Sequence, residues 1–175
     1  DTPDQKPDVK EPKTKKKSTA IAKDPKDMSS DELNQQFTGK SQALDRASGN
    51  MEKANAILSK NPDNPKAQKA VQMAADEKFV AQVGKSQAAL DILDSHEAKS
   101  DAIKKEHPNR LSPDRRDKLR AVKEEKKKAF AATGMTTAAV MHTMNQKDIK
   151  DRWDKSIDPA GEGDQELTQV VDGKS

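Results

Sequence analysis

The sequence contains no cysteine and no tyrosine. Without cysteine there are no disulfides, no thiolate zinc ligands and no thiol nucleophile, although the compartment stays open because proteins of either redox environment can lack it. Aromatic side chains are reduced to Phe37, Phe79, Phe130 and Trp153. Hydrophobic residues make up 31% of the 175, against ~45–50% in an average globular domain on a tally that includes glycine. A thick three-layer core is therefore excluded, whereas paired helices remain possible because each needs only a narrow apolar stripe. No apolar run approaches the ~20 residues of a membrane-spanning helix. No signal-peptide pattern is visible, and the chain starts at Asp1 rather than Met, as expected after a cleaved leader or a trimmed terminus.

What the chain has in abundance is charge. Asp, Glu, Lys and Arg account for 36% of it and nearly cancel, leaving +3. The layout is uneven: residues 104–128 carry eleven cations and five anions, while residues 158–175 carry one and five. Residues 1–27 hold Pro3, Pro7, Pro12 and Pro25 and almost no apolar side chain. That composition cannot offset chain entropy by burial. It predicts a flexible Pro/Lys-rich arm over 1–28, with an acidic flexible tail over 158–175 after the Asp158-Pro159-Ala160-Gly161 breaker.

Between these ends the pattern is helical. Ser29-Ser30-Asp31-Glu32 fits a capping box, in which the serine accepts from a backbone N–H and the glutamate reaches back. Leu33, Phe37, Lys40, Leu44, Ala47, Met51, Ala54 and Leu58 then follow at steps alternating four and three. This heptad seam predicts a helix over 30–60, with Leu33, Phe37, Leu44, Met51 and Leu58 as its apolar side. Gly39 and Gly49 weaken it. Asn61-Pro62 ends it, and Asn64-Pro65 supplies a cap and a first-turn proline for a second helix over 65–106. Val71, Ala75, Phe79 and Val83 mark one face of that helix, continued by Leu90 and Leu93. The short link makes the two helices an antiparallel hairpin. His107-Pro108 breaks the chain. Ser112-Pro113-Asp114 starts a third helix over 113–133 carrying Leu119, Val122, Ala129 and Phe130, with Gly134 as its stop. A fourth, over 137–156, offers Val140, Met141, Met144, Ile149 and Trp153. Strand signals are minimal. The expectation is an all-α chain: an antiparallel helical hairpin or elongated bundle with flexible termini.

Catalytic patterns are scarce. His96, His107 and His142 include no pair at helical zinc-binding spacing. His96 reads as a surface residue of a charged helix and His107 as a turn residue. Carboxylates alternate with Lys and Arg, as on solvated helix faces. Gly161-Glu162-Gly163-Asp164 lacks the Lys-Ser/Thr ending of a phosphate loop, and no calcium-loop pattern occurs. The sequence predicts neither an enzyme nor a cofactor, metal or small-molecule site.

The basic third helix is the most distinctive feature. Arg110, Arg115, Arg116, Lys118, Arg120, Lys123, Lys126, Lys127 and Lys128 crowd nineteen residues. They make either a solvated face paired internally with Asp114, Asp117, Glu124 and Glu125, or a docking face for phosphates or an acidic protein surface. Leu111–Leu119 is similar over nine residues to the Leu-Thr-x-x-Gln helix-start signature of Spy/CpxP-type periplasmic stress chaperones. The signature glutamine falls on Arg115 or Arg116, so the run is read as helix-capping grammar. The functional expectation is a non-enzymatic structural or scaffold subunit of a larger assembly, such as a phage particle or a secretion machine, with protein partners or self-association. The alternatives are a nucleic-acid-associated protein gripping phosphates through 104–128, with weak and non-specific binding, and a helical chaperone or secreted effector module.

Overall fold

The computed structural model describes residues 23–157. It comprises α1 (Ser30–Lys60), α2 (Pro65–Glu106), α3 (Pro113–Ala132) and α4 (Thr137–Ile157), preceded by a 3-10 turn at Pro25–Asp27. The architecture is all-α, with no strand among the described residues. Residues 1–22 of the expected arm and the tail 158–175 lie outside the described residues. The end of that arm differs from expectation. Asp24 caps the 3-10 turn by accepting from the Lys26 N–H at 3.1 Å, and the turn packs on α2.

Each helix start is fixed by a side chain that satisfies an otherwise orphaned N–H. The Ser29 hydroxyl accepts from Glu32 N at 3.1 Å, and the Glu32 carboxylate accepts from Ser29 N at 3.3 Å. Glu32 also takes the Lys23 ammonium at 3.0 Å; this bond, then that from Ser29 N, lowers its pKa. Asn64 accepts from Lys66 N at 2.9 Å, the Ser112 hydroxyl from Arg115 N at 3.4 Å, and the Thr136 hydroxyl from Ala139 N at 3.1 Å. Between α3 and α4, Gly134 adopts φ +66°, a left-handed conformation that favours glycine after a helix end.

α2 is the spine, and α1, α3 and α4 each pack on it while making at most marginal contact with one another. On one side α1 runs antiparallel: Gln36 donates to Asp91 at 3.1 Å and the Lys85 ammonium lies over the Phe37 ring at 5.7 Å. On another side α3 and α4 return along α2 end to end. Lys118 reaches Glu106 at 3.6 Å and Lys150 reaches Asp76 at 3.8 Å, so the chain advances 32 residues while its partner on α2 retreats 30. The molecule is thus a three-stranded helical layer whose third strand is broken at 133–136.

The seam between α1 and α2 is built from small side chains. Ala67, Ala74, Ala88 and Ser95 of α2 are buried at multiples of seven residues, and Ala47 and Ala54 are buried on α1 beside Leu33. Alanines at heptad spacing bring two backbones close together. The larger seam residues Phe37, Leu44, Met51 and Leu58 flank this contact and are half-buried, as are Val71, Ala75, Phe79 and Val83 on α2. Leu33, Ile92, Val122 and Val140 are the buried large apolar side chains among the described residues.

Candidate protein-binding surface

The nine basic residues singled out from the sequence do not share one face. Arg115 and Lys118 are absorbed into the corner between α2 and α3. The Arg115 guanidinium donates to the carbonyl oxygens of His107 and Pro108 at 3.2 and 3.4 Å, which lie at or beyond the end of α2 and have no helical donor. Lys118 donates to Nε2 of His107 at 3.0 Å and pairs with Glu106. Arg110 is exposed in the turn, which an Asn109 side chain shapes by accepting from Leu111 N at 3.0 Å.

Four of the remaining residues align. Arg116, Arg120, Lys123 and Lys127 are spaced four, three and four, all exposed. At 3.6 residues per turn they fall within an arc of about 60° and span about 16 Å of the helix. Asp117 and Glu124 sit on the next flank and Asp114 and Glu125 beyond it, while Leu119, Val122 and Phe130 occupy the side turned to α2. No carboxylate of the described residues lies within 4 Å of the four stripe cations. Arg116 with Arg120, and Lys123 with Lys127, are like-charged pairs at i, i+4, which disfavour the isolated helix by a few tenths of a kcal/mol each. Lys126 lies toward the apolar side and Lys128 on the acidic flank, both exposed.

A second charged concavity, of about 520 Å³, lies between the 3-10 turn and α2, where Asp24, Asp94, Glu97 and Asp101 gather with Lys26 and Lys105. Desolvation, reinforced by Asp91, Glu97 and Asp24, raises the pKa of Asp94, and Lys26 only partly opposes this. No group of three or more His, Cys, Asp or Glu with metal-holding geometry occurs among the described residues.

Two histidine placements are informative. His107 caps α2 as a turn residue. His96, expected on the surface, is instead buried with 4% of its area exposed. Its Nδ1 lies 2.7 Å from the Ile92 carbonyl oxygen. A carbonyl only accepts, so Nδ1 carries the proton. The neighbours Asp94 and Glu97 make the position look solvated, but those side chains line the open concavity beside the 3-10 turn and stay exposed, while His96 is buried. The buried Asp91 was equally unmarked in the sequence; its two oxygens accept from the amides of Gln36 and Gln87 at 3.1 and 3.0 Å. The apolar set expected on α4 divides: Met141, Ile149 and Trp153 are exposed, while Val140 is fully buried.

No protein-family model, curated protein or solved structure matches the chain. No helix among the described residues is long and apolar enough to cross a membrane.

Proposed function

We propose that this protein is a non-enzymatic scaffold subunit that docks an acidic helical partner on α3. The observation that carries this reading is the segregation of α3 into a pure basic stripe, Arg116–Arg120–Lys123–Lys127, beside a carboxylate flank. The stripe is one side chain wide and follows the four-three-four spacing at which a second helix presents its own residues. A nucleic-acid backbone offers a broader lattice of charge, and such a lattice would meet Asp117 and Glu124 together with the stripe. The flanking carboxylates therefore favour a protein partner over phosphates. An open layer of helices suits a subunit that completes its surfaces within a larger assembly, whether a particle or a secretion machine.

The test is an acidic helical peptide with four glutamates at four-three-four spacing, compared with a peptide of the same composition in scrambled order. The spaced peptide binds more tightly to the full chain, and changing Arg116, Arg120, Lys123 and Lys127 together to Gln removes the difference. Equal binding of the two peptides contradicts the reading.

A further inference from the structure

The basic stripe on α3 has a complement within the same sequence. Residues 158–175 carry five carboxylates and one lysine, and Glu162, Asp164 and Glu166 fall at alternate positions. Pro159, Gly161 and Gly163 disfavour a helix among them. In an extended chain alternate side chains share one side and repeat about every 6.6 Å. Neighbouring cations of the stripe are three or four residues apart, about 4.5–6 Å of helix rise. Three carboxylates therefore match three consecutive cations within the swing of an Arg or Lys side chain. Arg116, Arg120, Lys123 and Lys127 are exposed, with no carboxylate of the described residues within 4 Å.

The two segments do not meet within one chain. Lys118 stands level with Glu106 and Lys150 level with Asp76, so about 45 Å of α2 separates these levels. Arg120 and Lys123 lie just past Lys118 on the side toward α4, and Ile157 lies two turns past Lys150 on the far side. The middle of the stripe is therefore about 50 Å from Ile157. Glu166 is nine residues beyond Ile157 and reaches about 30 Å when fully extended. The nearer cations Arg152 and Lys155 of α4 alternate with Asp151 and Asp154, so they offer no row of one sign.

We infer that Glu162, Asp164 and Glu166 of one copy dock on the Arg116–Arg120–Lys123–Lys127 stripe of a second copy. The inference rests on the reading of the stripe as a face for protein carboxylates, and it adds self-association as a regulator of that face: a bound tail excludes the acidic helical partner. Each copy brings one stripe and one tail, so the contact propagates head to tail unless two copies exchange tails. The charges are solvent-exposed on the stripe side, so the contact is weak and is screened by salt.

Sedimentation velocity of the full chain tests this up to ~1 mM, the weak end of specific association. The mass rises above the monomer with concentration at ~0.05 M salt and returns to the monomer at ~0.5 M, where screening is nearly complete. Two variants are then compared. One carries Glu162→Lys, Asp164→Lys and Glu166→Lys; the other carries Arg116→Glu, Arg120→Glu, Lys123→Glu and Lys127→Glu. Each is monomeric alone, and their mixture associates, because each tail then finds a stripe of opposite sign on the other variant. Circular dichroism keeps helix content in view, since both sets of substitutions fall on exposed or terminal positions. A parent that stays monomeric throughout overturns the inference, as does association that either variant retains alone or that the mixture fails to restore. Acidic-peptide binding by a chain that never associates overturns this inference and leaves the proposed function standing; association without peptide binding does the reverse.

Discussion

The Arg115 guanidinium donates to the His107 carbonyl oxygen at 3.2 Å, across the corner where α2 ends and α3 begins. Arg116, the next residue, is exposed and reaches no carboxylate of the described residues within 4 Å. Adjacent arginines thus do different work: the first holds two helices together, the second is presented to solvent. Arg115→Gln should lower stability by about 1.5–3 kcal/mol, the range for a hydrogen bond to a charged group. Arg116→Gln should stay within about 0.5 kcal/mol of the parent. Urea unfolding of the two variants checks this; equal losses would mean that Arg115 does not fix the corner.

The glycines of α1 test how much the helices depend on propensity. A Cβ added at Gly39 or Gly49 meets nothing within 4 Å. Gly39→Ala and Gly49→Ala should each raise stability by about 1 kcal/mol, the propensity gap in a helix interior. Gly134→Ala should have the opposite sign and cost about 1–2 kcal/mol, because Gly134 has φ +66°. Thermal midpoints moving in these opposed directions support the reading, and a destabilised Gly39→Ala would contradict it.

The seam makes a packing prediction. Ala88 is 1% exposed on the spine helix. Ala88→Leu should cost about 1–3 kcal/mol by overpacking, even though leucine is nearly as good a helix former. Guanidinium unfolding is the measurement, and an unchanged midpoint would mean that the helices are not in close contact there.

The fold was legible where local chemistry decides it. The caps at Ser29, Asn64 and Ser112 and the breaks at Asn61-Pro62 and His107-Pro108 act within a few residues, so they show in the sequence. α3 ends at Ala132 and α4 at Ile157, each one residue from the expected bound. What lay hidden depends on contacts between distant segments. The alanine seam of α2 was obscured because alanine carries little weight in an apolar count, and Val71 and Phe79 drew the face toward the flanks. Burial of His96 and Asp91 follows from several elements converging on the middle of α2, which no periodicity in α2 alone reveals. On α3 the basic residues were evident, but their division into two corner-holding residues and a four-residue stripe needed the helix phase and the position of α2. Trp153 belongs to the apolar set of the fourth helix by its spacing, but spacing alone does not say which members of that set meet α2, and Trp153 is exposed.

Asp94 gives a pH dependence. Its pKa is raised from 3.8, mainly by desolvation and then by Asp91, Glu97 and Asp24. A carboxyl with a raised folded-state pKa favours the folded state when protonated, so its contribution is full below the unfolded value and is lost as pH rises through the folded value. Asp94→Asn should therefore stabilise the chain at neutral pH, by less than about 1 kcal/mol because solvent screens a group this exposed. The gain should fade as pH falls through about 4 and vanish about one unit lower, where the aspartate is protonated in both states. Melting curves of parent and variant across this range check it, and a gain that persists in acid would show another cause.

Competition at α3 tests the central claim most directly. The full chain is loaded with the labelled four-three-four acidic helical peptide at ~0.2 M salt, where purely electrostatic grip on phosphates is already weakened. Unlabelled peptide and duplex DNA are then titrated in as competitors. The scaffold reading predicts that the peptide displaces its labelled copy while the duplex fails to do so at matched charge. Displacement by duplex DNA at lower concentration than by the peptide, lost when Arg116, Arg120, Lys123 and Lys127 are changed to Gln, would contradict it and establish the stripe as a phosphate-binding face.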